Sequence, residues 1–152
     1  MNRIDSAKTV PEINRALVAL EQQVRKSSLG DPLVNLVYLR VSQLNGCAFC
    51  IDMHSHDLAR GGETPQRLAL LAVWREVPSV FSPRERVALA WAEEVTKLGP
   101  HGVSDAVYGE AKAELGEKGL VELTLAVSMI NVWNRFGVPF QKQPPNRAAE
   151  TK

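Results

Sequence analysis

The sequence predicts an all-α fold, a single helical bundle of about seven helices, and three observations carry that expectation. Helix-opening punctuation recurs: a capping residue followed by proline, whose missing N–H is harmless in the first helical turn, stands at Asp31-Pro32, Thr64-Pro65 and Ser82-Pro83. No stretch alternates apolar and polar residues for long between hairpin turns, and Asn45-Gly46 reads as a helix end rather than a hairpin corner. Finally, 152 residues with 45% hydrophobic and 23% charged side chains have the composition of a soluble globular domain that can bury one core without staples.

Taken in order, helices are expected near 11–27, 32–44, 47–60, 65–75, 83–98, 104–115 and 118–136. The second opens at Asp31-Pro32 and stops at Asn45-Gly46, which places Cys47 in the first turn of the third. The fourth opens at Thr64-Pro65. The fifth has a full capping box, Ser82-Pro83-Arg84-Glu85, with the glutamate placed to reach back to the cap's own N–H. Its apolar face is Val87, Leu89, Ala90, Trp91 and Val95, leaving Glu93, Glu94 and Lys97 for water or for a site. The last helix is apolar on nearly every side, so it belongs at the centre of the bundle or at a subunit interface, and a homo-oligomer is expected. Trp74, Trp91 and Trp133 read as core, and no cofactor is assigned to them or to any other residue. The helical domain is expected to span 1–143, followed by a flexible tail over 144–152.

Several function classes drop out. The first twenty residues mix charges and lack an apolar core ahead of a cleavage site, so they do not read as a secretory signal. The most apolar stretch, 120–136, is interrupted by Glu122, Thr124, Ser128, Asn131, Asn134 and Arg135, too polar for a bilayer span. Eighteen basic against seventeen acidic residues give a net charge of +1 with no basic stripe, which argues against nucleic acid as a partner. A cytoplasmic protein is expected, and in that reducing compartment two close cysteines point to catalysis, redox chemistry or metal binding rather than a permanent bridge.

The chemistry concentrates at Cys47-Ala-Phe-Cys50-Ile-Asp-Met-His54. Side chains three and four apart on a helix are neighbours, so Cys47, Cys50 and His54 form one stripe, and the CxxC spacing lies within the α-carbon range that a disulfide accepts. Two arguments for the reactive thiolate diverge. The helix N-terminus favours an anion at Cys47, whereas an imidazole one turn on favours proton removal from Cys50. Asp57, three residues after His54, is placed to reach the ring and fix its tautomer. Inert core cysteines are one alternative. A zinc site through Cys47, Cys50, His54 and His56 is another, but His56 projects roughly opposite to Cys47 and no second cysteine pair completes a tetrahedron, so no metal is assigned. His101, after Gly99-Pro100, reads as a solvated turn residue.

The stretch from Leu39 through Ser42-Gln-Leu-Asn-Gly46 to Cys47-Ala-Phe-Cys50 and His54 resembles the core motif of the AhpD-like alkylhydroperoxidases of the carboxymuconolactone decarboxylase superfamily. The stretches 88–96 (ALAWAEEVT) and 130–135 (INVWNR) are similar to members of the same group. The resemblance implies an all-α fold assembling as trimers or hexamers, and a hydroperoxide reductase with an antioxidant role. In that cycle Cys50 attacks the peroxide, Cys47 resolves the sulfenic acid into a disulfide, His54 helps deprotonate the nucleophile, and a dithiol of lipoyl type is the reductant that the resemblance suggests. Two positions depart from the family: Asn35 replaces a glutamate twelve residues before the first cysteine, and Phe49 replaces a histidine before the second. Neither can pass a proton, so weak turnover is expected unless another group, such as Glu93 or Glu94, stands in. A non-enzymatic thiol redox sensor is the alternative from another class. The decarboxylase branch, which works on a lactone by acid–base chemistry, does not need the thiol pair that this chain keeps.

Overall fold

A computed structural model describes residues 3–146. It is all-α: α1 (Ser6–Thr9), α2 (Pro11–Arg25), α3 (Asp31–Asn45), α4 (Ala48–Arg60), α5 (Pro65–Leu70) running into a 3₁₀ turn (Leu71–Glu76), α6 (Pro83–Thr96) and α7 (Asp105–Gly137). The expected helices over 104–115 and 118–136 form one element broken at Gly116, whose φ of 68° and ψ of 172° are accessible to glycine and interrupt the helix. The short α1 was not foreseen; Asp5 caps it by accepting from the Lys8 backbone N–H. Of the tail expected over 144–152, residues 144–146 carry no regular structure and 147–152 lie outside the described residues.

The punctuation acts largely as expected. Ser82 and Glu85 close a reciprocal capping box, with Ser82 N donating to Glu85 Oε2 at 2.7 Å and Glu85 N donating to Ser82 Oγ at 3.2 Å. Thr64 caps α5 by accepting from Arg67 N. Asp31 departs from expectation: it is the first residue of α3, the cap position falls to Gly30 at φ 83°, and no side chain caps that end.

The core divides in two. The larger part joins α2, α3, α6 and α7 through Val24, Val34, Val37, Val41, Trp91, Leu123, Val127 and Ile130, with both cysteines inside it. A smaller one gathers Leu36, Leu39, Leu58, Leu71, Trp74, Phe81 and Leu89 under the 3₁₀ turn. The second half of α7 is the central element, burying Leu120, Leu123, Ala126, Val127, Met129 and Ile130 within this one chain, while Val121 stays 70% exposed. Among the described residues no helix is long and apolar enough to cross a membrane.

The resemblance motifs outside the cysteines make the frame of the site. Asn45 Nδ2 donates to Asn131 Oδ1 and Asn134 Oδ1, each at 2.9 Å, and Asn134 Nδ2 donates to Ser42 Oγ at 3.2 Å. Buried amides and hydroxyls require such partners. Together they fasten the end of α3, and with it the start of α4, to α7.

Candidate active site

The site begins with how one helix ends and the next starts. Gly46, at φ 68°, closes α3 in a left-handed turn: its N–H donates to Gln43 O and Ser42 O, and Cys47 N donates to Ser42 O at 3.0 Å. This is a Schellman closure, for which a residue with a side chain would be strained. Cys47 is thereby the N-cap of α4 rather than a member of its first turn, and its Sγ accepts from the Cys50 backbone N–H at 3.4 Å. The expected position shifts by one residue because the turn uses Cys47 to satisfy both helices.

Cys47 and Cys50 are joined as a disulfide with their α-carbons 5.3 Å apart. Both are buried, but a cavity of about 670 Å³ reaches Cys50 and does not reach Cys47. From α4 it is lined by Phe49, Cys50, Met53, His54 and Asp57, one face of the helix. The α7 side contributes Ile130, Trp133 and Gly137, and α2 contributes Val18, Glu21 and Arg25. Arg3 from the N-terminal segment closes one edge by donating to Pro139 O at 2.6 Å, beside Lys142, whose Nζ lies 3.8 Å from the centre of the Phe49 ring.

His54 is 2% exposed, and neither ring nitrogen has a hydrogen-bond partner. Burial, with a smaller contribution from the Arg25 charge, pushes its pKa down to about 3, so the imidazole is neutral at physiological pH and keeps a free lone pair that can accept a hydrogen bond. Its ring meets Tyr38 edge-on at 5.1 Å between centroids. Asp57, expected to hold this ring, does not bond to it: the carboxylate is exposed at the cavity edge while His54 points inward.

What the sequence reading missed is Glu21. Tyr38 Oη donates to Glu21 Oε2 at 2.8 Å, Arg25 Nε donates to Glu21 Oε1 at 2.9 Å, and Trp133 Nε1 makes a longer contact with Oε2 at 3.4 Å. Burial, reinforced by the Glu21 charge and hydrogen bond, pushes the Tyr38 phenol well above its usual range, so it stays a donor. A carboxylate thus sits in the cavity although Asn35 is an amide. Asn35 is not a cavity residue; it accepts from Arg25 Nη1 at 2.9 Å. The one available signal was the spacing of Val18, Glu21 and Arg25 on a single face of α2.

The other expected stand-ins lie elsewhere. Glu93 accepts from Arg40 Nε at 2.6 Å and Trp74 Nε1 at 2.8 Å and also pairs with Arg75, while Glu94 accepts from Ser104 N at 2.7 Å. Both are committed to holding α6 to its neighbours. Trp74 and Trp91 are core, but Trp133 is only half-buried and forms cavity wall. His101 is exposed in the turn before α7. Among the described residues no group of three or more His, Cys, Asp or Glu is arranged to hold a metal ion.

The all-α bundle thus presents one sulfur of a CxxC disulfide, beside a neutral histidine, to a cavity. The carboxymuconolactone decarboxylase family pattern matches residues 11–94, and the chain belongs to that family as an AhpD-like member. It is 36% identical over 147 residues to the uncharacterised protein YdfG of Bacillus subtilis, spanning 97% of each chain. A solved structure from Agrobacterium tumefaciens, a protein of unknown function ascribed to AhpD-type antioxidant defence, superposes with a TM-score of 0.90 at 39% identity, covering 95% of this chain and 99% of that one. An uncharacterised peroxidase-related protein with an alkylhydroperoxidase AhpD core, from Ralstonia eutropha, shares the fold with a TM-score of 0.82 at 19% identity, over 93% of this chain and 75% of its own.

Proposed function

We propose that this chain is a thiol-dependent hydroperoxide reductase, alkylhydroperoxidase-like, that cycles Cys47 and Cys50 between dithiol and disulfide in an antioxidant role in the cytoplasm. The observation that carries this reading is the meeting of Cys50, a neutral His54 and the Glu21–Tyr38 pair around one cavity. In the reduced enzyme Cys50 gives up its proton with the help of the neutral His54 beside it, the role that the family resemblance implies. The thiolate attacks the outer peroxide oxygen, the O–O bond breaks, and the alcohol leaves with a proton from the site. Cys47 then displaces water from the sulfenic acid to form the disulfide, which an external dithiol, of lipoyl type by family resemblance, returns to two thiols. Glu21, acting with Tyr38, supplies the proton-exchanging carboxylate that Asn35 cannot. Ile130, Trp133 and Phe49 along the walls suit a hydroperoxide with an apolar body. By the same resemblance the working form is a trimer or hexamer.

Intact mass after one equivalent of organic hydroperoxide tests the reading. Loss of two hydrogens, reversed by a dithiol with continued turnover, is the expected result. A Cys47→Ser chain should stop at a trappable sulfenic acid on Cys50. Oxidation that changes assembly or size without any turnover would instead identify a redox sensor.

A further inference from the structure

We infer that the reducing thiol attacks Cys50, the same sulfur that receives the peroxide, and that Cys47 is the leaving group, so that both halves of the cycle pass through one cavity. The inference rests on the dithiol–disulfide cycle proposed above, but not on which oxidant closes the disulfide.

Access decides the site of attack. Both cysteines are buried in the main core, but Cys50 lines the cavity and Cys47 is absent from its wall. Gly137, at the end of α7, packs against the bond: a β-carbon placed on it would stand 2.7 Å from Cys47 Sγ and 3.6 Å from Cys50 Sγ. Backbone therefore covers Cys47 at closer than side-chain range. A thiolate entering the cavity meets Cys50 Sγ first.

The chemistry of departure agrees with access. Thiol–disulfide exchange is faster when the departing sulfur is the better-stabilised thiolate. Cys47 is the N-cap of α4, accepts the Cys50 N–H at 3.4 Å and faces the positive end of the helix dipole. The two divergent readings of the sequence thus describe two roles: the histidine serves Cys50 as nucleophile and the helix terminus serves Cys47 as leaving group.

The step balances with a dithiol. One reductant thiolate forms a bond to Cys50 Sγ as the Cys47–Cys50 bond breaks, and its electron pair goes to Cys47, which takes up a proton. The second reductant thiol, giving up its proton, attacks the reductant's own sulfur in the mixed disulfide. This releases the Cys50 thiolate and a cyclic disulfide. A monothiol has no second step, and the neighbouring Cys47 thiolate reverses the adduct by attacking Cys50 and expelling it.

The test uses oxidised full-length chain exposed briefly to 2-mercaptoethanol, quenched in acid, unfolded and capped with N-ethylmaleimide. Peptide fragmentation between Ala48 and Phe49 then separates the two cysteines. The expected product carries mercaptoethanol on Cys50 and maleimide on Cys47; the reverse pattern overturns the inference. As a check on access, Cys50 in a Cys47→Ser chain should react with iodoacetamide at least about 10-fold faster than Cys47 in a Cys50→Ser chain. Equal or inverted rates would overturn it as well. No peroxide enters either measurement, so a chain that fails to reduce hydroperoxides yet places the adduct on Cys50 refutes the peroxidase reading alone.

Discussion

At the scale of single residues, the cavity holds a carboxylate, Glu21, from a helix other than the one that carries Asn35. Glu21 is fixed by Tyr38 and Trp133 on one oxygen and by Arg25 on the other, and Glu21→Gln keeps the size and the acceptor facing Tyr38 and Trp133, replaces the one facing Arg25 with an NH2, and removes the exchangeable proton. Peroxide-dependent turnover should fall by about 10²-fold, the low end of general acid–base assistance, with exchange against a dithiol little changed. Asn35→Glu, which the family comparison alone would favour, should leave the peroxide rate nearly unaltered because residue 35 faces Arg25 rather than the cavity. Steady-state rates for the two variants decide between the positions; a strong gain from Asn35→Glu would return the relay to α3. His54 makes a second residue-scale prediction, on stability. Its folded pKa of about 3 lies below the unfolded value of about 6.5, so the unfolded chain binds a proton that the folded one refuses between those values. The associated stability is complete above about pH 6.5 and is lost as pH falls toward 3, amounting to as much as about 2 kcal/mol between pH 6.5 and 5. Denaturant titrations of the parent and a His54→Phe chain at those two pH values should show the smaller loss in the variant. Parallel losses would mean that His54 titrates normally in the fold.

At the scale of elements, the site is a junction of helix ends. Gly46 lets α3 stop at a point where Cys47 can start α4, and the Ser42, Asn45, Asn131 and Asn134 side chains tie that junction to α7. Opposite it, the end of α7 approaches the disulfide so closely that only a glycine fits. Helix propensity alone says that Gly137→Ala should stabilise by about 1 kcal/mol. The 2.7 Å approach to Cys47 Sγ, part of a covalent bridge that cannot swing aside, reverses the sign. The oxidised variant should lose about 1–3 kcal/mol, as overpacking does, with a matching drop in thermal midpoint. A midpoint equal to or above the parent's would show that α7 can move away at little cost.

At the scale of the whole molecule, α7 satisfies its all-round apolar character chiefly by lying at the centre of one chain, but not completely. Val121 and Tyr108 on the same element are 70% and 47% exposed, and Leu98 in the preceding turn is 66% exposed. A second copy covering such side chains follows the usual course of closed homo-oligomers. Light scattering in moderate salt should give a small integral multiple of the chain mass at micromolar concentration. A monodisperse monomer would leave α7 as an internal element alone.

The sequence by itself determined the helical class, most element boundaries, and the Cys47, Cys50 and His54 stripe. All three depend on spacing along one helix and on punctuation that acts within a turn or two. Helix geometry is local, so residues at i, i+3 and i+4 meet wherever the helix lies. Tertiary packing decided which cysteine faces the cavity, where Asp57 points and which carboxylate lines the cavity. Glu21 sits on an amphipathic helix where a glutamate reads as solvent-facing. The packing of α2 against α3 and α7 turns it inward to Tyr38 and Trp133, and no pattern within α2 encodes that neighbour.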